Sequence, residues 1–193
     1  FKCKIINVIG ISIDIIKSTE TQYKKIEKII ESIFKKIKDK KRIYVYENGG
    51  SYADASHFVG ELTATYKNKK RTPLPFFLLS SNISSLSAWS NDFDYKTYLE
   101  REVETMCKKD DMIILISTSG GSIKSKQSIN LINAAKKAKK KGVFIVGFLG
   151  NKGGDLLKFC NLSYIANSND TPHIQENHKM IFHYICEIFD KKY

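Results

Sequence analysis

The sequence predicts an α/β protein built on a doubly wound parallel sheet, and three observations lead there. Short apolar runs alternate with helical patterns along the chain. The clearest run, DMIILIS from Asp111, is apolar at consecutive positions, as in a strand covered on both faces. Two of the runs, RIYVY and DMIILIS, end in Gly/Ser loops, at the sheet edge where such folds bind ligands.

Taken in order, IINVIGISIDII has apolar residues at helical spacing, although its β-branched content also allows a strand. A core helix or a subunit-interface helix is expected there, since the run is too short and too charged for a membrane span. A second helix starts near Ser18, with Ile26, Ile29, Ile30, Ile33 and Ile37 on one face. RIYVY from Arg42 is a strand, and a helix follows from Gly50 to about Tyr66. After a loop holding Pro73 and Pro75, FFLL is a buried strand, and SAWSNDFDYKTYLEREVETM is one or two helices. DMIILIS leads through STSGGS into SIKSKQSINLINAAKKAKKK, a predicted helix of about five turns. VFIVGFL and LSYIA are the last strands, and the chain closes on a helix with Pro172 near its first turn.

A length of 193 residues suits one domain with a sizeable core, and no repeat or linker divides it. The formal net charge of +12 sits mostly on Lys in surface-like helical positions. The basic runs lack interleaved Arg, Gly and aromatics, so no nucleic-acid partner is expected, and no membrane. Cys3, Cys107, Cys160 and Cys186 form no CxxC pair and read as reduced core thiols of a cytoplasmic protein.

In STSGGS the hydroxyls of Ser117, Thr118, Ser119 and Ser122 surround a Gly pair between a strand and a predicted helix. Unpaired backbone N–H groups, the helix dipole and four hydroxyls suit a phosphate monoester. No Lys follows the Gly pair and there is no GxGxxG, which excludes a Walker loop and a dinucleotide fingerprint. Asn48, Gly49, Gly50 and Ser51 repeat the same logic after the first strand.

His57 and Glu61 are four apart on the helix leaving that second loop, so they share a face. Such a pair can hold a divalent metal or act as acid and base, or be an ordinary surface hydrogen bond. The last helix adds Gln175, His178 and His183. Gln175 and His183 differ by about 80° around the helix, and His178 and His183 by about 140°. Spacing alone does not choose between the two histidines.

NGGSxxDAxHFxxEL from Asn48, SNDF at Ser90 to Phe93, STSGxS and IQExHxxxxH together resemble, in that order, the sugar isomerase (SIS) domain of phosphoheptose isomerases. The resemblance runs from about Glu47 to the C-terminus. It implies a three-layer α-β-α fold with a five-stranded parallel, flavodoxin-like sheet. Residues 1–40 would be an N-terminal helical segment and 41–193 the sugar-phosphate-binding core of a single domain, 1–193. It further implies a cytoplasmic homotetramer with active sites between subunits, and one Zn2+ per subunit on His57, Glu61, Gln175 and His183. Glu61 becomes the base and His183 the acid. Asn48, Gly49, Gly50, Ser51, Asp92, Ser117, Thr118, Ser119, Ser122 and Gln175 become substrate contacts.

The implied reaction converts sedoheptulose 7-phosphate to D-glycero-D-manno-heptose 7-phosphate, for lipopolysaccharide or capsule heptose. Three departures stand against the pattern. Glu47 replaces a usual Gly, Thr65 replaces Arg in many members, and Pro172 with His173 replaces polar or Arg residues. A carboxylate at position 47 would repel a sugar phosphate unless it turns away or pairs with a Lys. These departures also allow a non-catalytic SIS protein that binds a replication initiator or senses a sugar phosphate.

Overall fold

The computed structural model describes residues 2–193, and the side chains of all of these except Lys2, Cys3 and Asn151. Five strands form one parallel sheet: β1 (Ile43–Tyr46), β2 (Phe76–Leu78), β3 (Met112–Ser117), β4 (Phe144–Leu149) and β5 (Leu162–Ile165). Their order is β2-β1-β3-β4-β5, so the winding reverses between β1 and β3. Ligands of such sheets bind beyond the strand ends at that reversal.

The helices are α1 (Lys2–Ser18), α2 (Tyr23–Lys38), α3 (Gly50–Thr63), α4 (Ile83–Asp92), α5 (Tyr95–Met106), α6 (Ile129–Lys140) and α7 (Thr171–Lys192). Strand alternation divides the core in two. Ile43, Val45, Met112, Ile114 and Ile116 face α2, α3 and α7. Tyr44, Tyr46, Ile113 and Leu115 face α5 and α6. α2 buries Ile26, Ile29, Ile30 and Ile33, while Ile37 packs half-buried at the rim.

The N-terminal run is a helix, not a strand, and not a core helix of this chain. Ile15 alone is buried among the described side chains of α1. Ser12 hydrogen-bonds His173 and Glu176 of α7 at 3.0 and 2.8 Å, which ties the helix down. SAWSNDFDYKTYLEREVETM is two helices, because Asp94 interrupts the pattern and caps α5 by accepting from Lys96 N–H.

Two predicted helices are shorter than expected. α3 stops at Thr63, not Tyr66, since Arg71 claims the carbonyls of Glu61 and Leu62 at 2.6 and 2.9 Å. α6 starts at Ile129, not at the Gly/Ser loop. Ser122 and Gln127 pair through two backbone hydrogen bonds of 2.9 Å, and Lys126 and Ser128 turn left-handed. Residues 123–128 are therefore a hairpin-like loop. Cys107 and Cys186 are buried and Cys160 half-buried, all as free thiols, and the side chain of Cys3 lies outside the described residues.

Candidate active site

The STSGG loop is built against a second loop, and that contact uses its glycines. A Cβ on Gly120, at φ +69°, would lie 2.3 Å from the Gly153 carbonyl carbon, and one on Gly154, at φ +53°, would lie 2.5 Å from that of Gly120. Leu156 and Asp155 donate backbone N–H groups to the Gly120 and Gly121 carbonyls at 2.9 Å. The Gly pair therefore permits backbone-on-backbone packing, which side chains at those φ values would block.

Several donors in this loop are already committed. Gly121 N–H donates to Ser119 Oγ at 3.1 Å, Ser122 N–H to Gln127, and Ser122 Oγ accepts from Ser125 N–H at 3.1 Å. Ser117, Thr118 and Ser119 keep hydroxyls directed at one another or at a neighbouring hydroxyl: Ser117 to Ser119 at 3.3 Å, and Thr118 to Thr171 at 3.5 Å. The helix terminus still reaches the loop from its later start. Ser128, which precedes α6 without a side-chain cap, lies 3.5 Å from Ser119 Oγ to Oγ. Ser117, Thr118 and Ser119 thus keep their hydroxyls beside an uncapped helix terminus, an arrangement that suits an anion. Ser122 faces away into its own turn.

At the first loop, Gly49 takes φ +61° and α3 begins without a side-chain cap, leaving Ser51 buried in its first turn. Ser51 Oγ accepts from Gln175 Nε2 at 2.7 Å, which joins this loop to α7. Gly50 makes room for that contact, since a Cβ there would lie 3.1 Å from Gln175 Nε2. Asn48 is more occupied than a free sugar contact. Its Oδ1 accepts from Tyr46, Tyr95 and Asn130 at 3.1, 2.8 and 2.7 Å, and its Nδ2 donates to Asn130 at 3.0 Å. Asn130, buried on α6, escaped sequence reasoning because nothing distinguishes it within an ordinary helical pattern. Asp92 ends α4 exposed and, among the described residues, accepts only from Asn91, at 2.9 Å, so this chain does not bring it to the other candidates.

α3 and α7 pack together and bring His57, Glu61 and His183 to one point. His57 Nε2 lies 3.0 Å from Glu61 Oε1, and His183 Nε2 lies 3.9 Å from Glu61 Oε2. One ligand atom from each falls within 4.8 Å of the others. Glu61 Oε2 is buried without a hydrogen-bond partner among the described residues. Two imidazoles and a carboxylate with an unsatisfied oxygen are a donor set that fits a zinc ion with a coordination position left open. Gln175 turns its amide nitrogen to Ser51, and its carbonyl oxygen makes no hydrogen bond among the described residues.

Behind Glu61 lies a support that spacing did not reveal. Arg71, with a fully buried side chain, donates to the Glu61 carbonyl and pairs with Asp190 of α7 at 3.2 Å. Asp190 also accepts from Lys67 and Asn68 N–H groups at 3.1 and 2.6 Å. This network fixes the carboxyl end of α3, and with it the residue between the two histidines. Thr65 lies in the loop so held, exposed, donating to the Asn68 carbonyl at 3.3 Å.

His178 has a different setting. It is buried, its Nε2 donates to the Leu149 carbonyl at 3.2 Å, and Nδ1 has no partner among the described residues. Burial lowers its pKa to about 4, so the ring is neutral at physiological pH.

A match to the SIS domain family covers residues 12–150. The phosphoheptose isomerase of Aliarcobacter butzleri is 39% identical over 178 residues, 92% of this chain and 90% of that protein. The structure of a phosphoheptose isomerase from Francisella tularensis superposes with a TM-score of 0.89 at 25% identity, covering 97% of each chain. That of Neisseria gonorrhoeae superposes at 0.88 with 25% identity, covering 98% of each.

Proposed function

The chain belongs to the SIS domain family, among its phosphoheptose isomerases, and is by family an aldose–ketose isomerase; on that premise we propose that it converts sedoheptulose 7-phosphate to D-glycero-D-manno-heptose 7-phosphate. The observation that carries this reading is the meeting of His57, Glu61 and His183 from two helices, with Glu61 Oε2 buried and unpaired.

The residue chemistry follows from that placement. Glu61 removes a proton from C1 of the ketose and returns it to C2 after an enediolate. His183 moves the hydroxyl proton from O1 to O2, so protons balance and no other reagent is consumed. Ser51, Ser117, Thr118 and Ser119 bind the phosphate, and Asn48, Gly49 and Gly50 shape the loop against the sugar. Ser122 and Asp92 have the weakest support among the substrate contacts, the first for its own turn and the second for its exposure. Zn2+ on His57, Glu61, Gln175 and His183 would polarise the carbonyl and hydroxyl oxygens and lower the barrier to enolisation.

Homotetrameric assembly belongs to the same proposal. It is supported by Ile5, Ile6, Ile9, Ile11, Ile13 and Ile16 of α1, which expose more apolar surface than an unpartnered helix usually carries. No described helix is long and apolar enough to cross a membrane. A cytoplasmic place and a role in lipopolysaccharide or capsule heptose supply complete the reading. The test is turnover of sedoheptulose 7-phosphate by purified, zinc-loaded protein. Absence of product, with Glu61→Gln indistinguishable from wild type, would end the proposal.

A further inference from the structure

Glu47 follows β1, 4% exposed, with Oε2 buried and without a hydrogen-bond partner among the described residues. No Lys or Arg pairs with it among the described residues, so the charge-pairing escape expected for a carboxylate beside a phosphate loop is not used. A buried polar group of this kind calls for a partner that the protein itself does not supply.

It lines a cavity of about 230 Å³ between the β1–α3 loop and the start of α4, with Asn48, Tyr52, Ser80 and Tyr95. The other polar groups there are engaged. Tyr46 and Tyr95 donate to Asn48 Oδ1, Tyr52 donates to the Ser80 carbonyl at 3.1 Å, and Ser80 donates to Glu102 at 3.2 Å. Among the lining residues, Glu47 is the one whose side chain keeps an unpartnered polar atom, directly beside Asn48 and four residues before Ser51.

We propose that Glu47 is a specificity-determining residue for the isomerisation, its carboxyl group hydrogen-bonding a hydroxyl of the bound sugar phosphate through this cavity. The inference rests on the function proposed above. A sugar hydroxyl both donates and accepts, so one contact satisfies the orphaned oxygen. The neutral acid is the form that serves. Burial, with Asp54 adding to it and the Ser51 hydroxyl opposing, drives the carboxyl well above the usual carboxylate range. A neutral acid also does not repel the phosphate. The Gly-to-Glu departure then fills sugar-side space with a donor rather than a charge.

The test compares wild type with E47A, E47M and E47Q in turnover of sedoheptulose 7-phosphate, and in its binding by calorimetry. E47A and E47M are expected to raise KM and Kd about tenfold, the size of one lost hydrogen bond, with kcat within about twofold. E47Q, which keeps a neutral donor, is expected to stay within about threefold of wild type. Unchanged KM in both E47A and E47M would overturn the inference and leave a water as the partner of Glu47. Tighter binding in all three variants would overturn it too, by showing a repulsive charge. E47Q failing as far as E47A would show that the carboxylate is required. Wild type that neither binds nor converts the substrate removes the proposed function and this inference together, whereas active wild type with indifferent variants removes only the inference.

Discussion

His178 and His183 leave the same helix five residues apart, one closed into the core against the Leu149 carbonyl, the other 40% exposed beside Glu61. Both are imidazoles that helical spacing did not separate, although the family resemblance assigned the metal to His183. The core packs Phe148, Tyr164 and Phe182 around His178, which keeps it uncharged and spends its one donor on a strand carbonyl. His183 has the edge of His57 and the face of Tyr66 for company, and an acid whose second oxygen is unmatched. A histidine with its proton committed to the fold cannot exchange it with substrate; one beside an unsatisfied carboxylate can.

The largest expected effect sharpens that contrast in turnover. His183→Asn and Glu61→Gln should each lower kcat by about 10²–10⁴-fold, the range for losing a positioned acid or base. His178→Gln, which preserves a donor to Leu149, should stay within about threefold. Equal losses at 178 and 183 would erase the distinction.

Next comes the support of the partner that His183 faces. Asp190→Ala strands the buried Arg71 charge and should cost about 3 kcal/mol in urea unfolding. A cost below about 1 kcal/mol would mean that water or another group compensates Arg71.

The buried histidine makes a prediction in pH. Its folded pKa, about 4, lies below an unfolded value near 6.5, so the unfolded chain binds more protons between them. Its contribution to stability is intact above about pH 6.5 and declines as pH falls toward 4, by roughly 3 kcal/mol in all. Denaturant titrations of wild type and His178→Gln across that window should diverge from neutral to acid. Parallel curves would show a ring that is not desolvated.

Glu47 gives the opposite sign. Its folded pKa is raised, so the folded state binds the extra proton and wild type loses stability as pH rises above the unfolded carboxyl value of about 4.5. Glu47→Gln should therefore gain stability relative to wild type as pH rises from 4.5 to 7, with the gap closing toward pH 4.5. A gap that widens in acid would contradict the buried, neutral carboxyl.

Much of this was legible beforehand. Continuous apolar runs located the strands, because a sheet covered on both faces needs no alternation. The His57/Glu61 pair was visible because four residues return to the same face of a helix. Less legible were contacts between segments far apart in sequence. The Gly120–Gly154 approach makes the STSGG glycines structural, and Ser122 to Ser128 leave the helix because pairing with Gln127 outweighs a helical continuation. Asn130 and Arg71 carry no local mark, since their partners lie 82 and 119 residues away.

The amino-acid order suffices for the parallel sheet, the placing of two Gly/Ser loops at its carboxyl edge, and the family, because these depend on local periodicity and short motifs. How far Asn48 is already spent, and that Glu47 is a buried acid lining a cavity, are settled by packing. Desolvation and hydrogen-bond partners belong to the folded chain, and no spacing rule contains them.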